Sequence, residues 1–373
     1  MAPILPARPE ALSPAHQPVP RPRVLSALAN PAPRPFPPAP RLDPSHRIVI
    51  AAMGGISDVI NSSALVPQIR TRYPDAEIVL WCSERAGAMA PLIPDLDRVE
   101  HGALWRNRSL GGAASRIAQM TRTVRRMRAG PADFVLMTSA PWQSAMAVAA
   151  SGAVRRVAIA ERGNARWLTD VLPASATSHP TLAGAARLLE PLGIALHSPL
   201  QYRLDAQPLG ARRERFRALL GARPVALDPF ARTRGESIPL ERWIRVAIEL
   251  VRRGYDPLWI GSTRELREVH RAVGSAAWKY VDKLGDGTLA DAAAAISLAR
   301  LFVGHESAAL HAASAFGVPT VGIYTPGDPV RHCPQGGGES RLLVRSSSAD
   351  VTHLDVLAAV DELPNAPPLR LMR

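Results

Sequence analysis

Residues 302–333 read F-V-G-H-E-S-A-A-L-H-A-A-S-A-F-G-V-P-T-V-G-I-Y-T-P-G-D-P-V-R-H-C. The run is a strand end, a tight turn, a short helix, a Gly317-Val318-Pro319 break, a second strand and a polar loop. Small residues follow Ser307, so a bulky ligand can approach the start of the helix closely. The first N–H groups of a helix have no acceptor inside it, and the macrodipole is positive at that end. A phosphate or diphosphate is the ligand class such a turn seats.

Upstream, the same alternation of strand and helix starts at residue 47. An apolar run over 48–52 ends in Met53-Gly54-Gly55, and a helix is expected from 58 to about 73, kinked at Pro67. Strands are expected over 77–82, ending near 99, over 133–138 and over 156–160. Helices are expected over 84–92, 113–128 and 142–150, with a polar loop over 102–112. Residues 161–180 read as irregular and 181–192 as helical. The segment 193–210, with Pro199 and Pro208, reads as an interdomain connection.

The pattern then restarts, with strands over 224–228, 257–260, 280–281, 301–303 and 319–324. The intervening helices fall over 239–253, 264–273 and 289–298, and a last helix over 350–363. Pro239 opens the first of these and Gly254 follows its end. The fold class is therefore α/β: two Rossmann-like, doubly wound units facing across a cleft. The expected domains are 46–205 and 206–345, followed by a C-terminal helix and tail over 346–373. The first 45 residues hold 14 of the 36 prolines, with scattered arginines, and are expected to be a disordered tail.

At 373 residues each unit can have a full core, and 47% hydrophobic content is ordinary for a globular chain. The net charge is +13, and every basic residue except Lys279 and Lys283 is Arg. That balance either attracts an anionic partner, such as a phosphorylated glycolipid or a membrane surface, or is a compositional habit with no partner. No nucleic-acid-binding signature accompanies it, so nucleic acid is not expected as a partner. Cys82 and Cys333 form no motif, and no ligand cluster suggests a metal. No uninterrupted apolar run reaches 18 residues, and the N-terminus lacks the apolar core of a secretion signal.

Four places carry chemistry. Gly54 and Gly55 permit a tight turn after the first strand, and Asp58 then faces the cleft from a helix start, either as a general base or as a helix cap. The stretch lacks Gly-Lys-Ser/Thr, so it is not a P-loop, and its glycine spacing is wrong for a dinucleotide fingerprint. Asp228 to Pro239 is a strand end and loop carrying Arg232 and Arg234, which read as a diphosphate clamp or as exposed arginines. Gly261-Ser262-Thr263-Arg264-Glu265 places a carboxylate in a first helical turn, where the dipole favours it. In the opening stretch Glu306, Ser307 and Ala308 form the turn, with Ser307 as helix cap. His311 one turn later is either a ligand or a satisfied helix residue.

Taken together, these motifs resemble glycosyltransferase family 9, the heptosyltransferase family, over about residues 48–337. The C-terminal stretch is similar to the family's polar pair, Ser/Thr, small residues, His, Gly-x-Pro-[TV] and Gly-Pro-[TS]-Asp-Pro. The N-terminal stretch looks like Gly-x-x-Gly-Asp, with Ser57 at the second Gly, and Tyr73-Pro74-Asp75-Ala76-Glu77-Ile78 matches Tyr-Pro-x-Ala-x-Ile. Departures are Glu236 at a basic position, Ile238 for Trp, Glu306 for Asp and Ala308 for Gly.

The resemblance implies the two-domain GT-B architecture and inverting transfer of a sugar. The implied donor is a nucleotide sugar, ADP-heptose first, and the implied acceptor an anionic glycolipid or glycan of the lipopolysaccharide core, with no other cofactor. It makes Asp58 the catalytic base, with Gly54, Gly55 and Ser57 as the acceptor-side loop. Arg232, Arg234, Glu265, Glu306, Ser307, Ala308 and His311 become the donor-binding residues. The location it implies is cytoplasmic, peripheral on the inner membrane. A GT-B nucleotide-sugar epimerase, or a binding protein on a degenerate transferase scaffold, is the alternative.

Overall fold

The computed structural model describes residues 46–102, 113–161, 163–173, 181–196, 198–231, 236–273, 287–325 and 327–363. Within the unit Phe36–Arg373, six parallel strands form the first sheet: β1 (Arg47–Ala52), β2 (Glu77–Cys82), β3 (Arg98–His101), β4 (Phe134–Met137), β5 (Arg155–Ile159) and β6 (Asp170–Leu172). Their order is β3-β2-β1-β4-β5-β6, with Ile50 paired to Leu80 on one side and to Leu136 on the other.

Parallel strands covered on both faces need apolar residues at every position rather than alternate ones. In β1 this is literal. Ile48, Ile50 and Ala52 enter the main core, while Val49 and Ala51 face a second core with Trp81, Met127, Ala145 and Val148. The helices Ala113–Ala129 and Trp142–Ala150 supply the last three of these.

The second sheet has β7 (Pro224–Asp228), β8 (Asp256–Trp259), β9 (Leu301–His305), β10 (Thr320–Tyr324) and β11 (Ser340–Val344), all parallel, in the order β11-β10-β9-β7-β8. Strand order reverses between β1 and β4 in one sheet and between β7 and β9 in the other. Ligands of doubly wound sheets sit beyond the strand carboxyl ends at these reversals.

The connection between the sheets is an extended segment clamped from both sides. Leu200, Tyr202 and Leu204 are buried. Arg203 N donates to Ser63 Oγ at 3.0 Å and Asp205 N to the Leu92 carbonyl at 2.7 Å, both toward the first sheet. Tyr202 N donates to the Gln335 carbonyl and Leu204 N to that of Ala315, both toward the second. The closing helix His353–Asp361, held by a Thr352–Asp355 capping box, returns to pack on helix Leu240–Arg252 and β11.

Several elements differ from the sequence expectation. The helix expected from 58 to 73 is two, Ile56–Ser62 and Val66–Arg72. Ser63 Oγ bonds back to the Ile60 carbonyl, and Pro67, with no N–H to give, opens the second helix. The span expected to be irregular contains β6, and β11 and the helix Gly210–Leu219 had no counterpart. The strand expected over 280–281, most of the loop over 102–112 and the N-terminal tail lie outside the described residues. Among the described residues no helix is long and apolar enough to cross a membrane.

Candidate active site

Beyond the end of β1 the chain turns through two glycines, each required for a different reason. A Cβ on Gly54 would overlap the Asp58 carboxylate, and Gly55 has φ 135°, a conformation that side chains disfavour. The turn lets Asp58, in the first turn of helix Ile56–Ser62, fold back so that Gly54 N donates to its Oδ2 at 2.6 Å. The carboxylate is half-buried, with its orientation fixed by the Gly54 amide.

Facing it are the ends of β7 and β9. Asp228, the last residue of β7, is 6% exposed. Ser307 Oγ donates to its Oδ2 at 2.7 Å, and Phe230 N approaches its Oδ1 at 3.3 Å. Burial pushes the Asp228 carboxyl up to about 7; the two hydrogen bonds oppose this and the Glu265 charge adds to it. Ser307 is the N-cap of helix Ala308–Ala315, accepting from Leu310 N at 3.3 Å. The N–H groups of Ala308 and Ala309 precede the first acceptor inside that helix.

Behind this turn runs a buried polar chain. Gln335 N donates to Tyr202 Oη at 2.6 Å, Tyr202 Oη meets His311 Nδ1 at 2.9 Å, and His311 Nε2 lies 3.8 Å from Glu306 Oε1. His311 is therefore a buried, partnered side chain set beside Glu306. One residue back, His305 accepts from Ile238 N through Nε2 at 3.1 Å, and burial pushes its imidazole down to about 4. With Thr325 Oγ1 donating to the Glu236 carbonyl, this fixes the end of the loop that follows β7. Beyond β8, Glu265 Oε2 accepts from both the amide and the hydroxyl of Ser262, each at 2.7 Å, capping helix Thr263–Val273.

One cavity of about 790 Å³ collects these groups. Gly54, Gly55, Ser57 and Asp58 line it from the first sheet; Glu265, Glu306, Ser307, Ala308 and His311 line it from the second. Arg232 and Arg234 lie outside the described residues. Asp228, Tyr202, Arg85 and Arg331 also line the cavity, and sequence reasoning had given them no role. Asp228 opened a quoted motif, yet an Asp before Pro reads as a turn former. The two arginines are indistinguishable in sequence from the many others. Among the described residues no cluster of three or more His, Cys, Asp or Glu is placed to hold a metal ion.

The arrangement offers a carboxylate on one wall and an amide-rich helix start on the other, with one arginine lining the cavity from each lobe, Arg85 from the first and Arg331 from the second. It suits an alcohol nucleophile opposite an anionic leaving group. Comparison with known proteins points the same way. The model of "Glycosyltransferase family 9 (heptosyltransferase)" matches residues 120–353. No curated protein sequence matches the chain.

Among solved structures, the glycosyl transferase family 9 protein from Veillonella parvula DSM 2008 superposes with a TM-score of 0.73 at 17% identity, covering 85% of this chain and 97% of that one. The E. coli ADP-heptose lps heptosyltransferase II gives 0.68 at 18%, covering 85% and 98%. E. coli heptosyltransferase WaaC with ADP gives 0.70 at 16%, covering 85% and 99%. At such identities the likeness shows the fold: two parallel-sheet α/β domains in the GT-B arrangement.

Proposed function

Because the chain belongs to glycosyltransferase family 9, we propose that it is an inverting transferase moving heptose from an ADP-sugar to a hydroxyl of the lipopolysaccharide core or a related glycan. The observation that carries this reading is the single cavity shared by Asp58 and the Ser307–Ala308 turn. The donor assignment draws on the two E. coli neighbours, an ADP-heptose heptosyltransferase and a heptosyltransferase with ADP.

In this reading the acceptor hydroxyl gives its proton to Asp58, which the Gly54 amide holds in place. The freed oxygen pair bonds to the anomeric carbon from one face, while the bond to the diphosphate oxygen breaks on the other. The departing diphosphate takes that electron pair and is met by the Ala308 and Ala309 amides and the helix dipole. Arg331, Arg85, Arg232 and Arg234 are the cations available to it. Glu306, beside His311, reaches the sugar, and Glu265 the ribose. Closure of the two sheets' lobes keeps water from the anomeric centre. A net charge of +13 supports an anionic acceptor at a membrane surface, and in this reading the protein works on the cytoplasmic side of the inner membrane.

The test is a calorimetric screen of ADP-, UDP- and GDP-sugars followed by transfer assays with and without acceptor. Asp58→Asn is expected to keep donor affinity and lower transfer on the order of a hundredfold. Full transfer in that variant removes Asp58 as the base. Donor binding without turnover in the wild type supports a degenerate scaffold instead.

A further inference from the structure

We propose that Asp228 and Ser307 form a proton-holding pair: a protonated Asp228 carboxyl donates to Ser307 Oγ, and Ser307 then directs its own O–H to the diphosphate of the donor. The inference rests on the donor site proposed above and adds to it a positioning residue that acts through the helix cap.

The geometry leaves Ser307 one hydrogen and two lone pairs. Its Oγ accepts from Leu310 N and lies 2.7 Å from Asp228 Oδ2. If Asp228 is ionised, its oxygens can only accept. The Ser307 hydrogen is then spent on Asp228, and a negative charge sits directly behind the diphosphate seat. If Asp228 holds a proton, that proton bridges to Ser307 Oγ and the Ser307 hydrogen turns toward the cavity, which Ser307 and Asp228 both line. No heavy atom has to move. One proton converts a charge that repels the ligand into a hydrogen-bond donor that holds it.

The pair is built in, not incidental. β7 and β9 are adjacent and in register, with Asp228 opposite Gly304. A Cβ at residue 304 would come within 2.7 Å of Asp228 Cβ and 2.9 Å of its carbonyl oxygen, so the glycine lets Asp228 sit against β9 just before the turn. Burial is the largest influence on the carboxyl and favours the proton. The influences that oppose it are hydrogen bonds from Ser307 and Phe230; no described cation is among them.

Among the described residues, the other titratable groups around the pair are Glu265 from the helix after β8, and His305 and Glu306 from β9 and its turn. Glu265 favours the protonated form. His305 is neutral above about pH 4, with Nε2 occupied by Ile238 N. The sign follows: the protonated fraction falls as pH rises through about 7, and donor affinity falls with it.

The experiment is calorimetric titration of the full chain with ADP-glucose, whose diphosphate carries no titrating proton between pH 6 and 8. Wild-type affinity is expected to weaken about tenfold across that range, as for a site needing one proton with a pKa near the midpoint. Asp228→Asn, whose carboxamide N–H₂ donates at every pH, is expected to bind at pH 8 within a few-fold of the wild type at pH 6, with no slope. Ser307→Ala should also lose the slope, and serves if the Asn variant does not fold.

A flat wild-type profile, or a slope that survives in either variant, overturns the pair. Infrared spectra of the ligand-free protein decide the proton without any donor. A protonated-carboxyl band is expected at pH 6, lost by pH 8 and absent in Asp228→Asn; no such band at pH 6 overturns the inference. If the band is present but ADP-glucose binds no form at any pH, the ADP-sugar reading fails and the Ser307–diphosphate contact falls with it.

Discussion

A single methyl group at residue 54 tests how the proposed base is held. The Asp58 carboxylate occupies the volume where a Gly54 Cβ would stand, and it does so because the Gly54 amide donates to it. Gly54 is exposed and outside the core, so Gly54→Ala is expected to leave the fold intact and displace only the carboxylate. A displaced base loses near-attack geometry, and transfer should fall roughly ten- to a hundredfold with donor affinity unchanged. Parallel measurement of kcat and the donor Kd checks this; a matching loss of donor affinity would mean the loop serves both substrates. Asp58 was legible in sequence because two glycines after a strand announce a tight turn. Asp228 was not: its partner Ser307 lies 79 residues away, and only the β7–β9 pairing brings them together.

Elements were legible in proportion to how much local chemistry marks their ends. The helix Leu289–Leu298 is where its apolar run places it, and β1, β2, β7 and β9 are continuous buried runs that announce parallel strands. β6 is three residues long, too short for any period. β11 reads Ser-Arg-Leu-Leu-Val and is only partly buried, so its apolar signal is diluted. Helix Gly210–Leu219 buries only Phe216 and has no apolar stripe to detect.

The cap at Thr288 measures the marking directly. Thr288 Oγ1 accepts from Asp291 N at 3.3 Å while Asp291 Oδ2 accepts from Thr288 N at 2.8 Å. Asp291 Oδ1 also anchors Arg215 at 2.9 Å and Arg212 at 3.3 Å from the neighbouring helix. Thr288→Ala is expected to lower stability by about 1 kcal/mol, read as a shift in urea midpoint at constant slope. A loss several times larger would show that the cap also holds the Asp291–arginine contacts.

At the scale of the molecule, the two-lobed plan was legible because the strand–helix rhythm stops at 193–210 and then begins again. How that connector grips both lobes was not, since the hydrogen bonds to both are given by its backbone amides, which leave no mark in a sequence. Tyr202 is 1% exposed, its ring stands edge-on to His311 at 5.8 Å between centroids, and its hydroxyl receives the Gln335 amide while meeting His311 Nδ1. A residue of the connecting segment thus also sets the imidazole beside Glu306 in the cavity. Tyr202→Phe keeps the ring and deletes the oxygen, leaving a half-buried amide and a buried ring nitrogen without that partner. Unfolding stability should fall by about 1–3 kcal/mol. If the His311–Glu306 arrangement helps seat the donor, donor affinity should fall severalfold in the same protein at a temperature where it is fully folded. Stability lost with donor affinity retained would make Tyr202 an anchor of the connector on the second lobe, with no part in the site it borders.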